Sequence, residues 1–178
     1  MGYTGEVTRL TLLRHAKSSW DDPELRDIQR PLNPRGLRDA PFMGAYCADR
    51  LSQPDLVLVS SARRAQETVE LFLEGWRTRI ESDGGRWRTP EIAVLDELYL
   101  AGSRDWDAVL DQFGRQGDHI LACGHQPGIG DFAREFDPRF RGDFPTAAVV
   151  SFSVDDGSPE IDFVERPKDA RRREEASS

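Results

Sequence analysis

Two histidines and two arginines carry the chemistry that this sequence can perform. His15 directly follows Arg14, His125 stands in Gly124-His125-Gln126-Pro127-Gly128, and the second arginine is Arg63 or Arg64 in Ser60-Ser61-Ala62-Arg63-Arg64-Ala65. A dianionic phosphoryl group calls for fixed positive charge and many donors, and a guanidinium offers both in a planar fork that matches two phosphate oxygens. A neutral imidazole nitrogen can attack phosphorus, while a second imidazole donates to an equatorial oxygen as charge develops. Each signal is weak alone, because a histidine at a strand end is more often a satisfied structural residue and an arginine pair opening a helix is usually a solvated face. Their joint placement carries the weight.

That placement comes from four short apolar runs rich in Val, Ile and Leu, which read as buried strands. Residues 9–13 lead into Arg14-His15, residues 55–59 into Ser60-Ser61, residues 92–95 into Asp96-Glu97, and residues 119–123 into Gly124-His125. Helical patterns lie between them. Asn33 is placed as an N-cap and Pro34 as the first helical residue, followed by Leu37, Ala40, Gly44, Cys47 and Leu51 on one stripe, with Pro41 as a point of kinking. After Ser61 a helix of about 13 residues is expected to stop near Gly75 as its C-cap, and the charged, Gly-rich residues 76–88 read as a loop. Ser103 is expected to cap a helix that ends at Gly114, and the turn at His125 feeds another. Two further strands, residues 147–154 and 161–164, are joined by the turn-forming Asp155-Asp156-Gly157-Ser158-Pro159. Repeated strand-then-helix order predicts an α/β fold of three layers, a mostly parallel sheet with helices on both faces. Such sheets hold ligands beyond the carboxyl ends of their strands.

The 178 residues, 38% of them hydrophobic, suffice for one core. A single domain over residues 1–166 is expected, with the charged residues 167–178 as a disordered tail. A net charge of -8 gives a field that repels nucleic acid and anionic lipid, so a basic site must be local. Residues 1–6 lack the apolar segment of a signal peptide and no apolar run suits a bilayer, which points to the cytoplasm. Cys47 and Cys123 make no disulfide framework and are expected to be reduced thiols.

Other routes to phosphate chemistry fit less well. A cysteine phosphatase needs an arginine at the sixth position after its thiolate, where Cys123 has Ile129 and Cys47 has Gln53. No Gly-rich loop ending in Gly-Lys-Ser or Gly-Lys-Thr is present. A zinc site built on His15 and His125 would set arginines against a cation, so no metal and no cofactor is expected.

The run Leu12-Leu13-Arg14-His15-Ala16-Lys17-Ser18 resembles the signature of the histidine phosphatase superfamily, also called phosphoglycerate-mutase-like, with alanine where glycine is commoner. That alanine, with Lys17-Ser18 and Trp20, is similar to the small phosphohistidine phosphatases of the SixA type. So are Arg30-Pro31-Leu32, Arg35-Gly36, Pro54-Asp55-Leu56-Val57-Leu58, the segment around Arg64, Phe144-Pro145-Thr146-Ala147, and the turn at His125, where asparagine is more usual at Gln126. The resemblance covers residues 9–164 and implies a metal-independent phosphatase. His15 would be the nucleophile, and Arg14, Arg64 and His125 would bind the phosphoryl group. Arg64 is preferred to Arg63 because the family's arginine directly precedes the alanine, here Ala65. Larger members place an acid near the third strand's end to protonate an alcohol, for which Glu97 is the candidate. A phosphohistidine substrate makes less demand on such an acid. Lys17 and Asp21 stay outside the catalytic set. The expected partner is a phosphorylated protein, or else a small phosphorylated molecule. A general phosphomonoesterase and a phospho-binding module of the same fold are the alternatives.

Overall fold

Leu10, Leu12 and Leu13 are almost wholly buried in the first strand, β1 (Arg9–Arg14), because helices cover both faces of it. The computed structural model describes residues 8–114, 116–155 and 158–177, so residues 1–6 and the turn residues Asp156 and Gly157 lie outside the described residues. The remaining strands are β2 (Leu56–Ser60), β3 (Glu91–Leu95), β4 (His119–Gly124), β5 (Val149–Asp155) and β6 (Ser158–Glu165). They form one sheet in the order β3-β2-β4-β1-β5-β6. The first four strands run parallel, and β5 and β6 add an antiparallel end. The expected three-layer α/β fold with a mostly parallel sheet is therefore the observed one.

Two long helices cover one face, α1 (Pro34–Ala48) and α2 (Arg63–Ser82), and enclose an apolar cluster that includes Met43, Phe72 and Trp76. On the other face α3 (Ser103–Phe113) and α4 (Gly128–Phe136) enclose Trp106, Ile129, Phe132 and Phe152. Asn33 caps α1 as expected, its side chain accepting from the Gly36 amide at 2.9 Å. Leu37 on the expected stripe is exposed, whereas Ala40, Gly44 and Cys47 are buried.

Four expectations need correction. Gly75 does not end a helix: α2 runs on to Ser82, and Gly75 faces α1 so closely that a Cβ there would lie 2.0 Å from the Pro41 carbonyl oxygen. Gly44 meets α2 in the same way, 1.8 Å from the Phe72 carbonyl oxygen, so the two glycines let the helix backbones touch. Trp76 is accordingly a core residue rather than part of a loop. Ser103 is the first residue of α3, and Gly102 is its N-cap, with the amide donating to Asp105. The charged tail forms a helix, α5 (Pro167–Ser177). Ala170 is wholly buried in the core beneath it, and Arg171 donates to Asp39 at 2.9 Å while stacking 4.0 Å from the Phe42 ring. Among the described residues no helix is long and apolar enough to cross a membrane.

Candidate active site

The carboxyl ends of β1, β2 and β4 lie side by side, and they deliver His15, Ser60 and His125 to one place. The His15 and His125 ring centroids stand 4.9 Å apart with the planes tilted by 53°. His15 Nδ1 lies 2.7 Å from the Ala16 carbonyl oxygen. A carbonyl can only accept, so Nδ1 holds the proton and Nε2 presents a lone pair. Ala16 is fixed in turn: its amide donates to Thr68 Oγ1 at 2.9 Å, and that hydroxyl donates to the Arg64 carbonyl oxygen. Thr68 thus ties the end of β1 to the first turn of α2.

His125 is set from two sides. Its Nδ1 lies 3.3 Å from Arg64 Nη2, and its Nε2 lies 2.7 Å from Ser60 Oγ. A guanidinium only donates, so in this arrangement Nδ1 accepts and Nε2–H donates to Ser60. Tyr99 packs edge-on against the ring at 5.7 Å.

Both imidazoles are held neutral. Burial, with Arg64 and Arg14 close by, pushes His15 down to about 4 against the Ala16 hydrogen bond. Burial, then His15 and Arg64, pushes His125 down to about 3. The guanidiniums are partly engaged already. Arg14 donates to the Phe144 carbonyl oxygen at 2.9 Å, yet its Nε is buried with no hydrogen-bond partner among the described residues. Arg64, 4% exposed, donates to the backbone carbonyl of Asp27 at 2.7 Å and to the Asp27 carboxylate at 3.0 Å. Two guanidiniums, one of them with an orphaned N–H, beside a bare imidazole nitrogen offer the kind of donors and lone pair that a tetrahedral dianion would call for.

Four of the five residues singled out in the sequence are therefore brought together. The fifth, Glu97, is exposed on a 3-10 turn (Asp96–Leu98) and makes no hydrogen bond or ion pair among the described residues. Arg63 points to solvent and pairs with Glu67 at 2.7 Å. The third histidine, His119, lies at the amino end of β4, where its ring meets the Ser52 carbonyl oxygen and Thr11. No group of three or more His, Cys, Asp or Glu side chains suited to a metal ion occurs among the described residues. An open groove of about 580 Å³ between α2 and β3 is lined by none of the five candidates. Sequence reading missed Asp27, on the 3-10 turn Asp27–Gln29, and also Tyr99, Thr68 and the role of Ser60. Ser60 carried a signal, since it opens the motif that contains Arg64, whereas Asp27 and Tyr99 meet only through the fold.

Several known proteins resemble this chain in sequence or in fold. Residues 10–89 match the model of the histidine phosphatase superfamily (branch 1). The chain is 32% identical over 118 residues to the uncharacterized protein Rv1276c of Mycobacterium tuberculosis, an alignment that covers 65% of this chain and 63% of that protein. The matched part thus spans somewhat less than two thirds of that relative's length. Among solved structures, the SixA protein of Agrobacterium tumefaciens superposes with a TM-score of 0.74 at 25% identity, over 90% of this chain and 99% of that one. A protein histidine phosphatase SixA complexed with tungstate shares the fold, with a TM-score of 0.68 at 22% identity over 90% and 98% of the two chains.

Proposed function

We propose, from its match to the histidine phosphatase superfamily over residues 10–89 and its likeness to SixA proteins, that the chain is a phosphatase acting through a covalent phosphohistidine on His15, with protein phosphohistidine as its substrate. The observation that carries the reading is the hydrogen bond from His15 Nδ1 to the Ala16 carbonyl, which leaves Nε2 unprotonated beside two guanidiniums.

In the first step Nε2 of His15 attacks phosphorus, the bond to the leaving group breaks, and Arg14 and Arg64 hold the equatorial oxygens. A dianion seated between Arg64 and His125 favours a proton on His125 Nδ1, which then donates to an equatorial oxygen while Nε2–H stays on Ser60. In the second step water attacks the phosphohistidine, the P–N bond breaks, and its electron pair returns to Nε2. The water protons leave with inorganic phosphate or pass to solvent. No residue arrangement in this scheme calls for a metal or a cofactor.

Phosphohistidine is favoured over an alcohol ester because an alkoxide needs a proton as it leaves, and Glu97 has no partner that orients it toward the histidines. The structural likeness to SixA proteins supports the same substrate class. A rapid-quench experiment with a ³²P-labelled phosphohistidine peptide in EDTA tests the reading. An acid-labile, alkali-stable label should appear on the wild-type chain within one turnover, and His15→Ala should lose both the label and turnover by at least about 10³-fold. Turnover that survives in His15→Ala removes His15 from the role. Binding without turnover in the wild type favours a phospho-binding module.

A further inference from the structure

A carboxylate beside a phosphate receptor requires an explanation, because it repels the dianion the receptor is built to hold. Asp27 is such a carboxylate. Its Oδ2 accepts from the Tyr99 hydroxyl at 2.8 Å and from Arg64 Nη2 at 3.0 Å, while its own backbone carbonyl takes Arg64 Nη1 at 2.7 Å. Oδ1 makes no hydrogen bond among the described residues, and the side chain is 45% exposed, so the group stands between the buried histidines and solvent. Arg64 could have been held by the backbone carbonyl alone.

Although burial works the other way, the Tyr99 hydroxyl and Arg64, with Arg30 adding to them, hold the Asp27 carboxyl below its usual range. At neutral pH it is therefore ionised and has no proton to give an alkoxide. Its charge is felt by both His15 and His125, which places it within electrostatic reach of the reacting atoms. A fixed anion that cannot act as an acid, at the mouth of a site whose floor is cationic, suits a leaving group that carries positive charge.

We infer that Asp27 selects N-phosphorylated substrates, its carboxylate accepting the ring N–H of a protonated phosphoimidazole as that ring departs. The inference rests on the phosphohistidine reading above and adds the residue that discriminates N–P from O–P bonds. The step balances without an external acid. His15 Nε2 supplies the electron pair for the new P–N bond, and the old P–N bond breaks. Its pair returns to the substrate nitrogen, and the ring leaves as neutral imidazole, keeping on its other nitrogen the proton that Asp27 has held. An alcohol ester has no such proton, so the same carboxylate gives its leaving oxygen nothing.

The test compares wild type and Asp27→Asn on a phosphohistidine peptide and on p-nitrophenyl phosphate, whose phenolate leaves without a proton. Both substrates are assayed on one preparation, so any loss of folded protein cancels in the ratio. Asp27→Asn is expected to lower kcat/KM for phosphohistidine at least tenfold more than for the aryl ester. The alkaline limb of the phosphohistidine profile should also move to lower pH, because the bound ring loses its proton more easily once the carboxylate is gone. Equal losses on the two substrates, with the alkaline limb unmoved, would overturn the inference and leave Asp27 as a support for Arg64. Wild type that cleaves the aryl ester but not phosphohistidine would instead overturn the substrate reading, and this inference with it.

Discussion

The rings of His15 and His125 stand 4.9 Å apart in a buried site where both are driven toward the neutral form, to about 4 and about 3. His119, buried at the far end of β4, falls to about 4, again chiefly through burial. In the unfolded chain each imidazole binds a proton near pH 6.5, and in the folded chain none does until about pH 4 or below. The unfolded state therefore holds more protons between these limits, so stability is full above pH 6.5 and declines as pH falls toward 4. Imidazole NMR shifts of all three histidines should stay at neutral values from pH 8 down to 5, and the urea midpoint should drop over the same acid range. A histidine that titrates near pH 6.5 in the native protein would mean that its imidazole is solvated.

What the sequence made legible follows from which interactions are local. Strand ends were readable because an apolar run that stops at Arg14-His15 or Gly124-His125 marks its own boundary, and the α1 start was readable because Asn33 and Pro34 act within one turn. Gly75 misled because a glycine that ends a helix and one that lets another helix approach look alike until the second helix is in place. The tail misled for a similar reason: α5 is held by buried Ala170, by Arg171 on Asp39, 132 positions back, and by Arg173 on Glu165, just before the helix. At the site, motif residues were visible, but Tyr99 and Asp27 are 72 positions apart and join only across the finished pocket.

Neighbouring arginines separate cleanly by environment. Arg64 is 4% exposed and touches His125 and Asp27, whereas Arg63 is exposed and bound to Glu67 on its own helix. Arg64→Ala should lower kcat/KM by about 10²–10³-fold, the scale for loss of a preorganised donor at a developing anion. Arg63→Ala should change it by less than about fivefold, the most that the roughly 1 kcal/mol of an exposed ion pair could account for. Steady-state kinetics of the two variants decide the matter, and the reverse order would exchange their roles.

Burial pushes the thiols of Cys47 and Cys123 far up, and both are free and wholly buried. A thiol without thiolate character is a poor nucleophile. Neither cysteine should react with Ellman's reagent in the native protein, and both should react after denaturation. Phosphatase turnover should be unaffected by the reagent, and its inhibition under native conditions would reopen a role for a thiolate.

The crossing of α1 and α2 supplies a test in which two effects oppose each other. Glycine to alanine inside a helix ordinarily stabilises by up to about 1 kcal/mol. At Gly75 the new methyl would lie 2.0 Å from a backbone oxygen of α1, so the helices must separate, and overpacking of this kind costs roughly 1–3 kcal/mol or more. The steric effect should win at Gly75, and at Gly44, where the contact is 1.8 Å. Urea unfolding of Gly75→Ala and Gly44→Ala should give lower midpoints with little change in slope. Because α2 carries Arg64 and Thr68 in its first turns, separated helices should also raise KM for the phosphorylated substrate. Raised midpoints for both variants would mean that the helices do not pack backbone to backbone.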